Sequence, residues 1–183
     1  MYAELRRWPF IRSRREGLAV HDTMRAMINE ALHVRTPQRF RTLHERAAVY
    51  YEARLEKATG DERERCAAER LYHYTCADES SSVHLFQAIA EDFARYRMMN
   101  RLRALLSDAN TYPLEVENSR LWKDYYNARL AHLEASTDPA EEVYRTIGEN
   151  ERAEAKLRAY ALCDWGEILR RRERLRQPSA EHL

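Results

Sequence analysis

The sequence predicts an all-α fold carrying one short N-terminal β-hairpin. Three observations lead there. Breakers are scarce, with 4 Gly and 5 Pro in 183 residues, while Arg, Glu, Ala and Leu, all good helix formers, are abundant. Apolar residues recur at helical spacing along almost the whole chain. Only the first twenty residues pair two short β-prone runs around a turn.

That hairpin comes first. Trp8-Pro9-Phe10-Ile11-Arg12 is aromatic and β-branched, Ser13 to Gly17 is a polar turn, and Leu18-Ala19-Val20 is apolar again. Two strands alone are marginal in water, so the hairpin is expected to lean on helices. Met24, Met27, Ile28, Ala31 and Leu32 then form an amphipathic stripe, with Arg25, Asn29, Glu30 and His33 on the exposed face. Thr36-Pro37 restarts the chain as N-cap and first helical residue. Phe40, Leu43, Ala47, Tyr50, Tyr51 and Leu55 carry a second helix to Gly60, expected as its C′ residue. Asp61-x-x-Glu64 reads as a capping box for a third helix that reaches Ala77. Val83, Phe86, Ile89, Ala90 and Phe93 mark a fourth helix, and Leu102, Leu105, Leu106 and Ala109 a fifth that ends at Tyr112-Pro113. A sixth spans about 115–135. Asp138-Pro139 with Glu141 opens a seventh by the same cap logic, and an eighth covers about 151–174.

The last helices read as a tetratricopeptide-like antiparallel stack. Ala128, Ala131, Ala140, Tyr144 and Ile147 fall near that repeat's small and large packing positions, and Tyr160 to Gly166 resembles the first helix of another copy. The step from Ala128 to Gly166 is 38 residues, against a repeat of about 34. The second copy stops after one helix, so the chain is expected to be a piece of something longer.

Charge excludes some functions. Lys+Arg 31 against Asp+Glu 30 leaves no global field for nucleic acid or membrane. The first 46 residues are locally basic, with ten Arg against five acids. Cys66, Cys76 and Cys163 are an odd, scattered set, read as reduced thiols of a cytoplasmic protein. No apolar run is long enough to span a membrane and no signal-peptide core is present. His73-x-x-Cys76 with Cys66 could begin a zinc site, but no second pair has matching spacing, so a buried thiol beside a histidine is preferred. Cys163-Asp164 belongs to no nucleophile set. The carboxylates fall at helical spacing with Arg, as on solvated faces. The Tyr-rich positions are read as core between helices, and the Arg170–Arg174 run as cations at a helix C-terminus. Catalytic residues and metal ligands are therefore expected to be none, and the chain is expected not to be an enzyme.

Gly17-Leu18-Ala19-Val20-His21-Asp22 leads into Met24-Arg25-x-Met27-Ile28, after Leu5 to Ile11. Together these resemble the end of the winged-helix domain of STAND-class (NB-ARC-like) signalling ATPases. Val20-His21-Asp22 stands where that family carries Met-His-Asp. Thr36-Pro37-Gln38-Arg39-Phe40 to Tyr50-Tyr51 resembles the helical arm that follows in bacterial members. The resemblance implies that His21 touches the β-phosphate of bound ADP and that Asp22 supports it. A histidine next to a helix N-terminus is chemically suited to that contact. The phosphate loop G-x-x-x-x-G-K-[ST] is absent, because the four glycines (17, 60, 148, 166) lie too far apart. No cofactor is therefore expected in this chain. ADP or ATP would be held by a nucleotide-binding domain N-terminal in a longer protein.

The organisation expected is a winged-helix remnant at 1–35, a helical arm at 36–112 and tetratricopeptide-like repeats at 113–183. The function expected is a non-catalytic regulatory segment that couples nucleotide state, sensed at His21 and Asp22, to a helical-repeat sensor. Its partners are then the nucleotide-binding domain of the same chain and a protein or peptide bound by the repeats. The structural alternative for His21-Asp22 is a plain helix cap. The main functional alternative is a free-standing repeat adaptor that binds a protein or peptide. The third is a DNA-binding winged helix, touching phosphates through Arg12, Arg14 and Arg15 of the hairpin turn. The mixed face of the following helix argues against base reading, so nucleic acid is not the expected partner.

Overall fold

The computed structural model describes residues 11–14, 17–20 and 22–176. Two strands, β1 (Ile11–Arg14) and β2 (Gly17–Val20), pair antiparallel with Ile11 opposite Val20 and Arg14 opposite Gly17. Eight helices follow among the described residues: α1 (Asp22–Arg35), α2 (Pro37–Leu55), α3 (Gly60–Ala77), α4 (Glu79–Arg95), α5 (Met99–Ala109), α6 (Glu117–Leu133), α7 (Thr137–Glu149) and α8 (Ala155–Arg176). The architecture is helix on helix, with sequential antiparallel pairs α2–α3, α6–α7 and α7–α8 as its most extensive contacts. Among the described residues no helix is long and apolar enough to cross a membrane.

One continuous core runs from the end of α3 to α8. Trp122, Tyr125, Tyr126 and Tyr144 are its largest fully buried side chains. The aromatic rings meet mostly edge to face. Trp122 stands at 88° to Tyr125 and Phe86 at 83° to Tyr126, geometries that match ring quadrupoles. Of the residues read as repeat-packing positions, Ala128, Ala140, Tyr144 and Ile147 are buried there and Ala131 is half-buried. A second, smaller cluster joins α1, α2 and α3: His33 meets Phe40, Phe40 meets His44, His44 meets Tyr72 and His73, and Tyr51 stacks on His73.

Several helix ends differ from the sequence reading. Gly60 is not the C′ residue of α2. That helix stops at Leu55, tightened by Lys57 N–H and Ala58 N–H both donating to Arg54 O, and Gly60 instead opens α3 at φ 56°. The Asp61–Glu64 capping box does not form. Thr59 is the N-cap without a side-chain bond, and Glu64 is drawn to Arg101 at 2.7 Å. Thr36 makes no cap bond either. Its hydroxyl turns back to Leu32 O, so α1 and α2 are nearly continuous. Asp78, just past the expected end of the third helix at Ala77, is a working cap: its Oδ1 accepts from Ser81 N–H at 3.1 Å. Helix α7 starts at Thr137, one residue before the Asp138-Pro139 expected to cap it.

Two helix C-termini share one geometry. At the end of α4, Met98 N–H donates to Phe93 O and Arg97 N–H to Ala94 O. At the end of α6, Ser136 N–H donates to Ala131 O and Ala135 N–H to His132 O. Each is a Schellman motif, which puts its C′ residue in the left-handed region where glycine is favoured. Here the C′ residues are Arg97 (φ 52°) and Ala135 (φ 67°). A Cβ in that conformation costs on the order of 1 kcal/mol. Ala135→Gly is therefore expected to raise the urea midpoint of unfolding, or at least hold it, where Ala→Gly inside a helix lowers it. A fall of the midpoint would contradict the strain.

Candidate functional site

Both strained turns open onto the same place. A pocket of about 330 Å³ lies between the α4–α5 turn, the α6–α7 turn and one face of α8, and Arg97 and Ala135 both line it. Helix α6 contributes Arg129 and His132, one turn apart. Helix α8 contributes Asp164, Glu167 and Arg171, at the i, i+3, i+7 spacing that keeps them on one side. Thr137, the first residue of α7, completes the wall.

Its floor is a charged hydrogen-bond network. Arg129 Nη1 donates to Asp164 Oδ2 at 2.8 Å and to the Tyr125 hydroxyl at 2.8 Å. The Tyr125 hydroxyl donates in turn to the same Asp164 oxygen at 2.7 Å. Arg129 Nη2 lies 3.9 Å from Glu91 of α4. Burial opposes the charge on Arg129, but Tyr125, Asp164 and Glu91 outweigh it and raise its pKa. Burial, reinforced by Asp164, pushes the Tyr125 hydroxyl far up, so it stays a donor. His132 goes the other way, lowered chiefly by burial, and is neutral near pH 7. Arg171 pairs with Glu167 one turn earlier on α8. Among the described residues Arg97 has no carboxylate partner.

Two polar atoms here have no hydrogen-bond partner although both are buried: Arg129 Nε and the Tyr144 hydroxyl. Tyr144 is wholly buried, its ring lies 6.0 Å from the His132 ring at the pocket wall, and its hydroxyl feels the charges of Asp164, Arg129 and Glu167.

The residues singled out in the sequence lie elsewhere. His21 and Arg15 fall outside the described residues. Asp22 is the first residue of α1, one position past His21. Arg12 and Arg14 lie on β1, paired with Ala19 and Gly17. Cys66 and Cys76 are buried, and burial pushes the Cys76 thiol up to about 11. His73 turns not to these thiols but to His44, Nδ1 to Nδ1 at 2.8 Å. Among the described residues no group of three His, Cys, Asp or Glu is placed to hold a metal.

Helix α1 departs most from expectation. Asn29 and His33, assigned to its exposed face, are partly buried: Asn29 Nδ2 donates to the Tyr72 hydroxyl at 3.2 Å and His33 packs on Phe40. Part of the stripe read as core-facing is turned outward, with Met27 58% and Ile28 40% exposed and Ala31 exposed beside them. Val34 is 75% exposed.

In the sequence Asp164 is read only beside Cys163 and Arg171 only within the Arg170–Arg174 run, and Arg97, Arg129, His132 and Glu167 are not singled out. One signal existed: Arg129 and Asp164 are 35 residues apart, close to one repeat length, so successive repeat helices bring them together. No family model, curated protein or solved structure matches the chain.

Proposed function

We propose that this chain is a non-catalytic coupling arm. It docks a second folded body through the outward face of α1 and carries a helical-repeat end that meets another partner. The observation that supports this best is the outward turn of part of the apolar stripe of α1. A stripe at i, i+3, i+4, i+7 is the pattern of a helix made for burial. This chain covers Met24 and Leu32 of the stripe only in part, takes in Asn29 and His33 beside them, and leaves Met27, Ile28 and Ala31 to solvent. Exposed apolar patches of this kind mark contact sites.

The occupant that fits is the body to which the hairpin belongs in the resemblance, a winged-helix and nucleotide-binding unit of the STAND class. Strand β2 ends at Val20 and α1 begins at Asp22, so hairpin and docking face are continuous. In this reading that unit holds ADP or ATP, His21 and Asp22 sense the nucleotide, and α1 with α2 is the lever. The test has two parts. In the chain alone, Met27→Ser with Ile28→Ser should change unfolding free energy by less than about 0.5 kcal/mol, as solvent-facing positions do. A loss several times larger would place that face in the chain's own core and remove the docking role. In a chain joined to its nucleotide-binding unit, the same pair and His21→Ala should each speed ADP release. Unchanged release would exclude the sensor role.

A second reading, a free-standing adaptor for a protein or peptide, is favoured by the pocket at the repeat end. It predicts ligand binding that is indifferent to the α1 substitutions.

A further inference from the structure

We infer that the pocket between the α4–α5 turn, the α6–α7 turn and α8 is a recognition site for a carboxylate group. This goes beyond the docking role of α1 and stands or falls separately from it.

Four features of the pocket converge. The first is charge. Among the residues lining it, three guanidiniums, Arg97, Arg129 and Arg171, face two carboxylates, Asp164 and Glu167, which leaves one positive charge over; Glu91, 3.9 Å behind Arg129, lies 3.9 Å from Arg95 as well, and that pair adds no net charge. Among the described residues that surplus resides on Arg97, since Arg129 and Arg171 already have carboxylate partners. The second is a buried polar atom without a partner on a residue that lines the pocket, Arg129 Nε. Buried donors are nearly always satisfied, and an orphan at the edge of a pocket points to a group that arrives from outside. The third is strain. A Schellman turn favours glycine at C′, yet the α4 turn holds an arginine there at φ 52°. Keeping a side chain where glycine is easier makes sense if the side chain is used. The fourth is that the floor is already rigid, because Tyr125, Arg129 and Asp164 close a three-membered network that fixes the guanidinium.

A carboxylate matches this arrangement in charge and shape. One negative charge neutralises the surplus, and two oxygens suit the planar fork of a guanidinium. A phosphate dianion would leave a net negative charge beside Asp164 and Glu167. The same carboxylate chemistry could come from the C-terminus of a peptide or from a small free acid, and the experiment separates them.

The readout is the arginine Nε–Hε region of a ¹H–¹⁵N correlation spectrum of the whole chain. The probes are N-acetyl-tetraalanine with a free C-terminus, the same peptide as its C-terminal amide, sodium acetate and inorganic phosphate. The expected result is a saturable shift of the Arg97 and Arg129 signals with the free-acid peptide and none with the amide. If acetate saturates the site equally well, the source is a small acid; if only the peptide does, it is a chain terminus. The variant is Arg97→Gly, which removes the cation but suits the left-handed turn. It should keep or raise the melting temperature while weakening binding about tenfold or more, as loss of a charged hydrogen bond does. Arg152→Glu, on the exposed α7–α8 connection, should leave binding unchanged. Phosphate binding as tightly as the carboxylates would overturn the assignment. So would the absence of any probe-dependent shift in a folded chain, or full binding by Arg97→Gly. None of these results would touch the α1 docking role, which the Met27 and Ile28 substitutions test.

Discussion

Asp164→Ala is expected to lower the unfolding free energy by about 3 kcal/mol, because it strands a partly buried guanidinium. Asp164 accepts from both Arg129 Nη1 and the Tyr125 hydroxyl, and its side chain is only 16% exposed. Removing it leaves the arginine with Glu91 at 3.9 Å as its nearest other carboxylate and leaves Tyr125, itself fully buried, donating to nothing. The arginine side chain is a quarter exposed, so water recovers part of the loss. That places the value at the low end of the range for broken buried pairs, about 3 to 5 kcal/mol. For a chain of this size the melting temperature should fall by roughly 6–12 °C. The check is a double-mutant cycle by urea unfolding. Arg129→Met in the Asp164→Ala background should restore part of the stability, since it removes the stranded charge and keeps an apolar stem. A single-variant loss below about 1 kcal/mol would mean that the pair behaves as a surface salt bridge, of no more weight than such pairs usually carry.

The pocket that this pair supports was hard to see in the sequence, and the reason is physical. Its titratable residues come from three stretches, Arg97, then Arg129 and His132, then Asp164 to Arg171. A third of the chain is charged, so each of them sits among others of the same kind. Helical periodicity tells which side of its own helix a residue occupies, not which other helix that side meets. The packing skeleton was easier. Of the small and large residues that follow a repeat pattern, Ala128, Ala140, Tyr144 and Ile147 are buried and Ala131 is half-buried.

Helix α1 illustrates the same limit from the other side. Its stripe correctly marks a helix, but part of the apolar face is turned to solvent and Asn29 and His33 are turned in. A pattern can mark a face for burial without saying which body buries it. Local capping signals were weaker still. The Asp61–Glu64 box lost to a long-range ion pair between Glu64 and Arg101, and to a glycine whose left-handed backbone reshapes the turn before it.

The second large effect is expected on acidification. His44 and His73 face each other Nδ1 to Nδ1 at 2.8 Å between α2 and α3, so one ring donates and the other accepts, and both are neutral. Burial lowers both pKa values to about 4, and for His73 the neighbouring His44 ring and Arg25 act in the same direction. Glu69, 3.8 Å from His73 Nε2, pulls the other way and is outweighed. The sign follows from which state binds protons first. In the unfolded chain a histidine titrates near 6.5, so as pH falls from about 6.5 towards 4 the unfolded state takes up protons that the folded state refuses. Stability is thus complete above about pH 6.5 and is lost through that window, at up to about 2.7 kcal/mol per pH unit while both rings differ. Each ring alone accounts for at most about 3 kcal/mol. The two share one hydrogen bond, so their titrations are coupled and the sum is smaller than twice that. His44→Phe keeps an aromatic ring against Phe40 and Tyr72 while removing one titrating group. It should lower stability at pH 7, because His73 loses its Nδ1 partner, and should roughly halve the slope between pH 6 and 5. Urea unfolding at half-unit pH steps measures both. A slope unchanged by His44→Phe would show that the acid sensitivity arises outside this pair, whereas a halved slope ties the junction of α2 and α3 to the protonation of these two rings.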